Sequence, residues 1–166
     1  FKPYFLNLLL NRLNDGDILM YMDVNDKPKK GIKEYMRFVF NKNPKLAIVV
    51  SGTNYPNIKY TSLFHRKSLS FEMIVSSNLF AQPEAGVILI KNCKISQEIL
   101  RIWYEFTFIN YLQTKNNNGP RDRYDQETLF ILSRLYKSIK IESWLKYKLT
   151  GKGIRRFIDF ESLKNY

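Results

Sequence analysis

The stretch Gly16-Asp17-Ile18-Leu19-Met20-Tyr21-Met22-Asp23-Val24-Asn25-Asp26 joins a turn signal to a short apolar run and then to a polar cluster. The apolar run predicts a buried strand over Ile18–Met22. It stops at three oxygen-bearing side chains, those of Asp23, Asn25 and Asp26. Ligands of open α/β sheets bind at strand ends, and oxygen atoms suit a hard divalent ion that holds a diphosphate. The stretch predicts either a metal-assisted site for an activated phosphate compound or a plain polar turn after a core strand.

Helical and strand patterns alternate on either side of this stretch. Apolar residues at helical spacing predict a helix over residues 3–14, with Pro3 in its first turn. A second helix is predicted over residues 32–41, and a strand buried on both faces over residues 46–50. This order favours an α/β fold with a mixed, mainly parallel central sheet flanked by helices.

Further strands and a long helix are predicted in the middle of the chain. Residues 79–82 and 86–90 have strand patterns, on either side of a predicted loop at Pro83-Glu84-Ala85. Ser96 is a candidate N-cap for an amphipathic helix whose apolar residues run over positions 99–112. Glu84 would then lie between two strand segments and next to a glycine, where a carboxylate can face a cleft.

The last third of the chain begins with a polar loop over residues 114–123. Asp125 follows this loop and is predicted to begin another helix, where it serves as an N-cap, as a functional carboxylate or as both. Residues 139–142 alternate like an edge strand, and residues 149–166 form a basic tail.

Size and composition predict one packed domain. The 166 residues suffice for a single substantial core, and the 45% hydrophobic and 15% aromatic content is typical of a globular chain. Cys93 is the single cysteine, which excludes an intrachain disulfide and a zinc cluster, and the single histidine, His65, is read as a surface or packing residue. No run approaches the ~18 apolar residues of a membrane-spanning helix. The cellular location is not predicted.

Several short motifs, taken in order, resemble those of glycosyltransferases of the type A fold, which use nucleotide sugars. The motifs are Lys2-Pro3, the run from Gly16 to Asp23, Gln82, Glu84-Ala85-Gly86, Trp103 and Tyr124-Asp125-Gln126. The resemblance covers residues 1–135 and implies a Rossmann-like type A sheet. It also implies that residues 1–166 form a single catalytic domain, which lacks the N-terminal strands that hold the nucleotide base in this family.

The resemblance implies a metal site at the end of the first strand. In such enzymes an Asp-x-Asp motif binds Mn²⁺ or Mg²⁺, which holds the diphosphate of the donor. Asp23 matches the first position and Asn25 the second, with Asp26 directly after. Because an amide oxygen is a weaker ligand than a carboxylate for a hard cation, Asp26 substitutes, or metal binding is weak, or water completes the shell. The metal-binding histidine found near the end of many of these enzymes has no counterpart after Asp125.

The resemblance also implies roles in catalysis and substrate binding. If the reaction inverts configuration, a carboxylate removes the proton of the acceptor hydroxyl, and Glu84 and Asp125 are the candidates for this base. If configuration is retained, no such base is required. Gln82, Gly86 and Gln126 are expected near the sugar and the acceptor, which is a hydroxyl of a glycan, lipid or protein. Candidates for binding the diphosphate are Lys27, Lys29, Arg121, Arg123, Arg155 and Arg156.

Two other functions remain open at this point. The net charge of +12 and the 11 tyrosines also suit a basic nucleic-acid-binding module, although the basic residues are scattered and no nucleic-acid-binding motif is recognisable. The departure at Asn25 permits a glycosyltransferase-like domain that binds glycans or partners without catalysis. The chain starts at Phe1, without a methionine and inside a helical pattern, so an upstream portion is expected.

Overall fold

In the computed structural model the described residues are 2–24, 26–53, 82–114 and 124–160. Their helices are Lys2–Leu10 (α1), Ile32–Lys42 (α2), Lys94–Thr114 (α3), Tyr124–Leu135 (α4) and Trp144–Thr150 (α5). Their strands are Ile18–Met22 (β1), Asp26–Pro28 (β2), Ile48–Thr53 (β3), Gln82–Lys91 (β4), Ile139–Ser143 (β5) and Ile158–Phe160 (β6), with a 3-10 turn over Ile154–Phe157 before β6.

Four of these strands form one mixed sheet in the order β1-β4-β3-β5, and β2 pairs with β6 in a separate ribbon. Strand β4 is antiparallel to both β1 and β3, whereas β3 and β5 are parallel. The mixed sheet flanked by helices was therefore predicted, but "mainly parallel" was wrong, because two of the three described pairings are antiparallel. A continuous apolar run reports that a strand is buried on both faces, and it carries no information about the direction of the neighbouring strand.

Helices cover both faces of the mixed sheet. On one face α1, α3 and α4 bury Leu6, Trp103 and Leu129 against Ile48 of β3 and Ile88 of β4. The opposite face is covered by α2, the 3-10 turn and β6, in a cluster of Ile32, Val39, Phe40, Val49, Val87, Leu89, Ile154 and Ile158. Burial on both faces explains why β3 and β4 read as continuous apolar runs, and why their alternate residues belong to different clusters.

Strands β1 and β5 lie at the two edges of the described sheet. The prediction of strand Ile18–Met22 is confirmed, and its five residues are half-buried, as befits an edge position. The predicted edge strand near residue 140 corresponds to β5. The predicted loop at residues 83–85 was wrong, since these residues lie inside β4. Their turn-like composition coincides with an irregularity, because the pairing with β3 shifts between Val50 and Gly52.

Helix α3 begins before Ser96, which corrects the predicted N-cap. Ser96 accepts a hydrogen bond from the Cys93 N–H at 3.1 Å and therefore stabilises the first turn from inside the helix. The first half of the predicted apolar stripe is buried, but Phe106, Ile109 and Leu112 remain 49%, 45% and 54% exposed. Among the described helices, none is long and apolar enough to cross a membrane.

Candidate functional site

The topology of the sheet brings the end of β1 next to the middle of β4. Because the two strands are antiparallel, their last described pair, Met22 with Val87, places the following residue Asp23 beside Gly86. The Asp23 N–H donates a hydrogen bond of 2.9 Å to the carbonyl oxygen of Gly86. Two residues that the sequence assigned to one site are therefore neighbours across a strand pair.

The absence of a side chain at Gly86 determines where the Asp23 carboxylate lies. A Cβ atom built on Gly86 would lie 3.0 Å from Asp23 Oδ2, which is tighter than nine in ten real Cβ contacts. The φ angle of Gly86 lies outside the left-handed region, so the contact with Asp23, and not the backbone conformation, is what disfavours a larger residue there. The carboxylate packs directly over the backbone of β4.

Lys2, the first residue of α1, lies between two of the candidate carboxylates. Its Nζ is 3.8 Å from Asp23 Oδ1 and 3.6 Å from Asp125 Oδ2. The lysine side chain is 19% exposed, compared with 49% for Asp23 and 30% for Asp125. The Nζ also lies 4.8 Å from the centroid of the Tyr21 ring. A single ammonium group thus joins carboxylates from the end of β1 and the start of α4.

Tyr21 adds a hydrogen-bond donor to the same cluster. Its hydroxyl donates to Asp23 Oδ1 at 2.8 Å. Burial, this hydrogen bond and the negative charges of Asp23, Asp125 and Asp26 raise the pKa of Tyr21 above its ordinary value. The hydroxyl therefore stays protonated at neutral pH, in a region where three carboxylates act on one group.

The backbone of Asp125 is fixed from the core. The indole Nε1–H of Trp103, a fully buried residue of α3, donates a hydrogen bond of 2.7 Å to the Asp125 carbonyl oxygen. The neighbouring Gln126 N–H donates to Asp125 Oδ1 at 2.8 Å. Helix α4 begins at Tyr124, so Asp125 lies within its first turn and is not the N-cap. Trp103 is a core residue, and its polar atom holds the turn that presents Asp125.

Asp26 has different surroundings from Asp23. Its N–H donates to the Asp23 carbonyl oxygen at 2.9 Å, but the residue is only 7% exposed. Nearby Arg155 is 4% exposed and donates from Nη2 to the Gly52 carbonyl oxygen at 3.3 Å. Burial lowers the pKa of Arg155 to about 10, while the charge of Asp26 acts in the opposite direction. Asp26 therefore balances a buried guanidinium.

Asp23 and Asp26, two of the three predicted metal ligands, have different neighbours. Asp23 Oδ1 already accepts the Tyr21 hydroxyl and faces Lys2, while the charge of Asp26 acts on Arg155. Within residues 2–24, 26–53, 82–114 and 124–160, no group of three or more His, Cys, Asp or Glu side chains is arranged to hold a metal. The Mn²⁺ or Mg²⁺ site stays a prediction, and its third candidate, Asn25, lies outside the described residues.

The other predicted site residues are described only in part or lie outside the described residues. Gln82 and Glu84 belong to the start of β4, before Gly86, but their side chains are not among those described. Arg121 and Arg123 lie outside the described residues, as does His65. The structure therefore gathers Asp23, Gly86, Asp125 and Gln126, and it leaves Glu84 as a prediction.

Lys2 and Tyr21 are the site residues that the sequence did not single out. Lys2 belonged to a quoted motif, but a lysine at the start of a helix carries no local sign of a partner far along the chain. Tyr21 was counted as part of an apolar run, although its alternation with Met20 and Met22 places it on the face of the sheet that carries α1. Comparison of the chain with family models, with curated proteins and with solved structures finds no match.

Proposed function

We propose that the chain is the catalytic domain of a glycosyltransferase, which moves a sugar from a nucleotide-diphosphate sugar to a hydroxyl acceptor. The observation that supports this most is the convergence of Lys2, Asp23, Gly86 and Asp125 at one edge of the sheet. These residues come from four separate motifs of the family resemblance. Because separate helices and strands of the core position them, residues from four motifs that are distant in the sequence lie close together.

Asp125 is the better supported of the two candidate bases. A general base must be deprotonated and held where the acceptor hydroxyl can reach it. The Lys2 Nζ lies 3.6 Å from Asp125 Oδ2, and the Trp103 indole N–H fixes the backbone that carries this carboxylate. At 30% exposure the Asp125 side chain remains accessible to a substrate.

Asp23 is assigned to orientation of the donor. Its carboxylate is half-exposed, lies over Gly86 and is held by the Tyr21 hydroxyl. A fixed carboxylate in this position can accept hydrogen bonds from sugar or ribose hydroxyl groups. If Mn²⁺ or Mg²⁺ takes part, Asp23 is the ligand that the resemblance names first, and the ion would neutralise the departing diphosphate. We assign no step to it.

Nucleotide release from common UDP- and GDP-sugars, measured with and without a panel of hydroxyl acceptors, tests this proposal. We expect Asp125→Asn to lower turnover by about a hundredfold or more, the scale of general-base catalysis, with the circular dichroism spectrum unchanged. Asp15→Asn is the matched control, because Asp15 is an exposed carboxylate in the turn before β1. If no donor is bound and none is turned over, the proposal is contradicted. Donor binding without turnover would favour a noncatalytic domain.

A further inference from the structure

The ammonium group of Lys2 occupies the interval between the carboxylates of Asp23 and Asp125. We propose that Lys2 is the resident cation of this site, and that a divalent ion can bridge Asp23 and Asp125 only by displacing it. The proposal concerns which cation holds the two carboxylates together. It does not depend on sugar transfer.

The two distances show that Lys2 is shared between its partners. Its Nζ is 3.8 Å from one carboxylate oxygen and 3.6 Å from the other, so these two carboxylates share one ammonium group. Asp23 and Asp125 approach each other from different elements, β1 and α4. Because both carboxylates lie within 3.8 Å of one ammonium nitrogen, that cation offsets their mutual repulsion. The lysine provides that cation from a third element, α1.

Lys2 is held in this position more firmly than an ordinary surface lysine. Its Nζ packs at 4.8 Å from the centroid of the Tyr21 ring, and its side chain is only 19% exposed. Helix α1 is anchored by Leu6 and Leu10, which are 1% and 0% exposed in the core. The hydroxyl of the same tyrosine donates to Asp23 Oδ1, so ring and hydroxyl orient both members of the ion pair.

A divalent ion and this ammonium group exclude each other. Mg²⁺ and related hard ions need oxygen ligands at about 2.0 to 2.6 Å, which requires the carboxylates to converge on the space that Nζ now fills. The charge of the third carboxylate of this region, that of Asp26, acts on the buried Arg155. The two carboxylates that a bridging ion would use therefore already share a basic side chain of the protein as their counterion.

Electron paramagnetic resonance of free and bound Mn²⁺ tests the proposal on the 166-residue chain, with no sugar nucleotide present. We expect Lys2→Met to increase Mn²⁺ affinity by about tenfold or more, the scale on which a neighbouring unit charge shifts a carboxylate equilibrium. Adding Asp23→Asn to this variant should remove the gain. Lys94→Met is the matched control, because Lys94 is an exposed lysine at the start of α3, and it should leave the affinity unchanged.

Tight binding of one Mn²⁺ by the unmodified chain, with an affinity that Lys2→Met lowers or leaves unchanged, would overturn the proposal. Lys2→Gln is a second neutral variant with the same expected gain, and it replaces Lys2→Met if circular dichroism shows that the latter does not fold. Because the measurement uses the metal alone, loss of the glycosyltransferase proposal would leave this result unaffected.

Discussion

Gly86 sets the position of a carboxylate on the neighbouring strand. A Cβ atom there would lie 3.0 Å from Asp23 Oδ2, and the Asp23 N–H is bound to the Gly86 carbonyl oxygen, so the backbone cannot easily move away. We expect Gly86→Ala to displace the Asp23 carboxylate. The contact requires a movement of only a few tenths of an ångström, so we expect a loss of activity smaller than the ~100-fold that a misplacement of about 1 Å costs. Donor turnover and donor affinity measure the effect.

A double-mutant cycle gives the control for this prediction. In an Asp23→Ala background the clash is absent, so adding Gly86→Ala should change turnover and affinity little further. Equal losses in both backgrounds would show that alanine acts through the backbone of β4 and not through Asp23.

These residue contacts also show what sequence reasoning can reach. The strand end at Asp23 was predictable because a turn signal, an apolar run and a polar cluster are all local. The lysine that neutralises Asp23 was not predictable from the same pattern, because its pairing with Asp125 depends on how α1 and α4 pack against the sheet. Long-range ion pairs leave no periodic trace in a sequence.

Glu142 joins three elements through one side chain. Its Oε2 accepts hydrogen bonds from the Tyr35 hydroxyl of α2 at 2.5 Å and from the Ile154 N–H of the 3-10 turn at 2.6 Å, while Oε1 pairs with Lys140 at 2.5 Å. The side chain is 10% exposed. The carboxylate thus fastens the C-terminal segment and α2 to strand β5.

We expect Glu142→Ala to lower the free energy of unfolding by about 3 kcal/mol, because removing one partner leaves buried donors unsatisfied. Urea denaturation measures this change. Glu98→Ala is a matched control, since Glu98 also accepts a tyrosine hydroxyl, that of Tyr136, but on the exposed surface. That variant should change stability little. Equal effects of the two substitutions would contradict the proposed role of burial.

The Tyr35–Glu142 contact also predicts a dependence on pH. Burial, and then the charge and hydrogen bond of Glu142, raise the pKa of Tyr35 above its ordinary value. The folded state therefore holds this proton more tightly than the unfolded chain. The protonated Tyr35 hydroxyl therefore contributes fully to the free energy of unfolding below the ordinary tyrosine pKa of about 10. This contribution is lost as pH rises above that value. Urea denaturation across this range should show a smaller decline for Glu142→Ala than for the unmodified chain.

The sequence predicted which segments form strands and helices better than it predicted how these elements are arranged. Strand β1 and helix α2 match the predicted ranges closely, because each has a clear apolar period and a clear start. The direction of β4 was missed, since it depends on the connections around the sheet. The loop predicted at residues 83–85 was missed because turn-forming residues also occupy irregular positions within a strand, such as the shift beside Val50.

The candidate site and the exposed side of α2 lie on opposite faces of the sheet. Lys2, Tyr21 and Asp125 lie with the layer of α1, α3 and α4, while α2 covers the opposite face. The exposed side of α2 carries Lys33 and Arg37. Net charge alone could not make this distinction, because it sums both faces. The nucleic-acid hypothesis and the glycosyltransferase proposal thus concern different surfaces and can be tested separately.

The basic residues on the exposed side of α2 allow a test of nucleic-acid binding. Electrostatic binding to phosphates falls steeply with salt, in proportion to the number of phosphates that basic side chains neutralise. We expect the unmodified chain to bind random oligonucleotides only at low salt, and the double variant Lys33→Gln, Arg37→Gln to reduce this binding while donor turnover stays unchanged. Fluorescence anisotropy at a series of salt concentrations measures the slope. Tight binding that persists at physiological salt would instead favour the nucleic-acid-binding module, and a loss of donor turnover in the double variant would mean that the two faces are coupled.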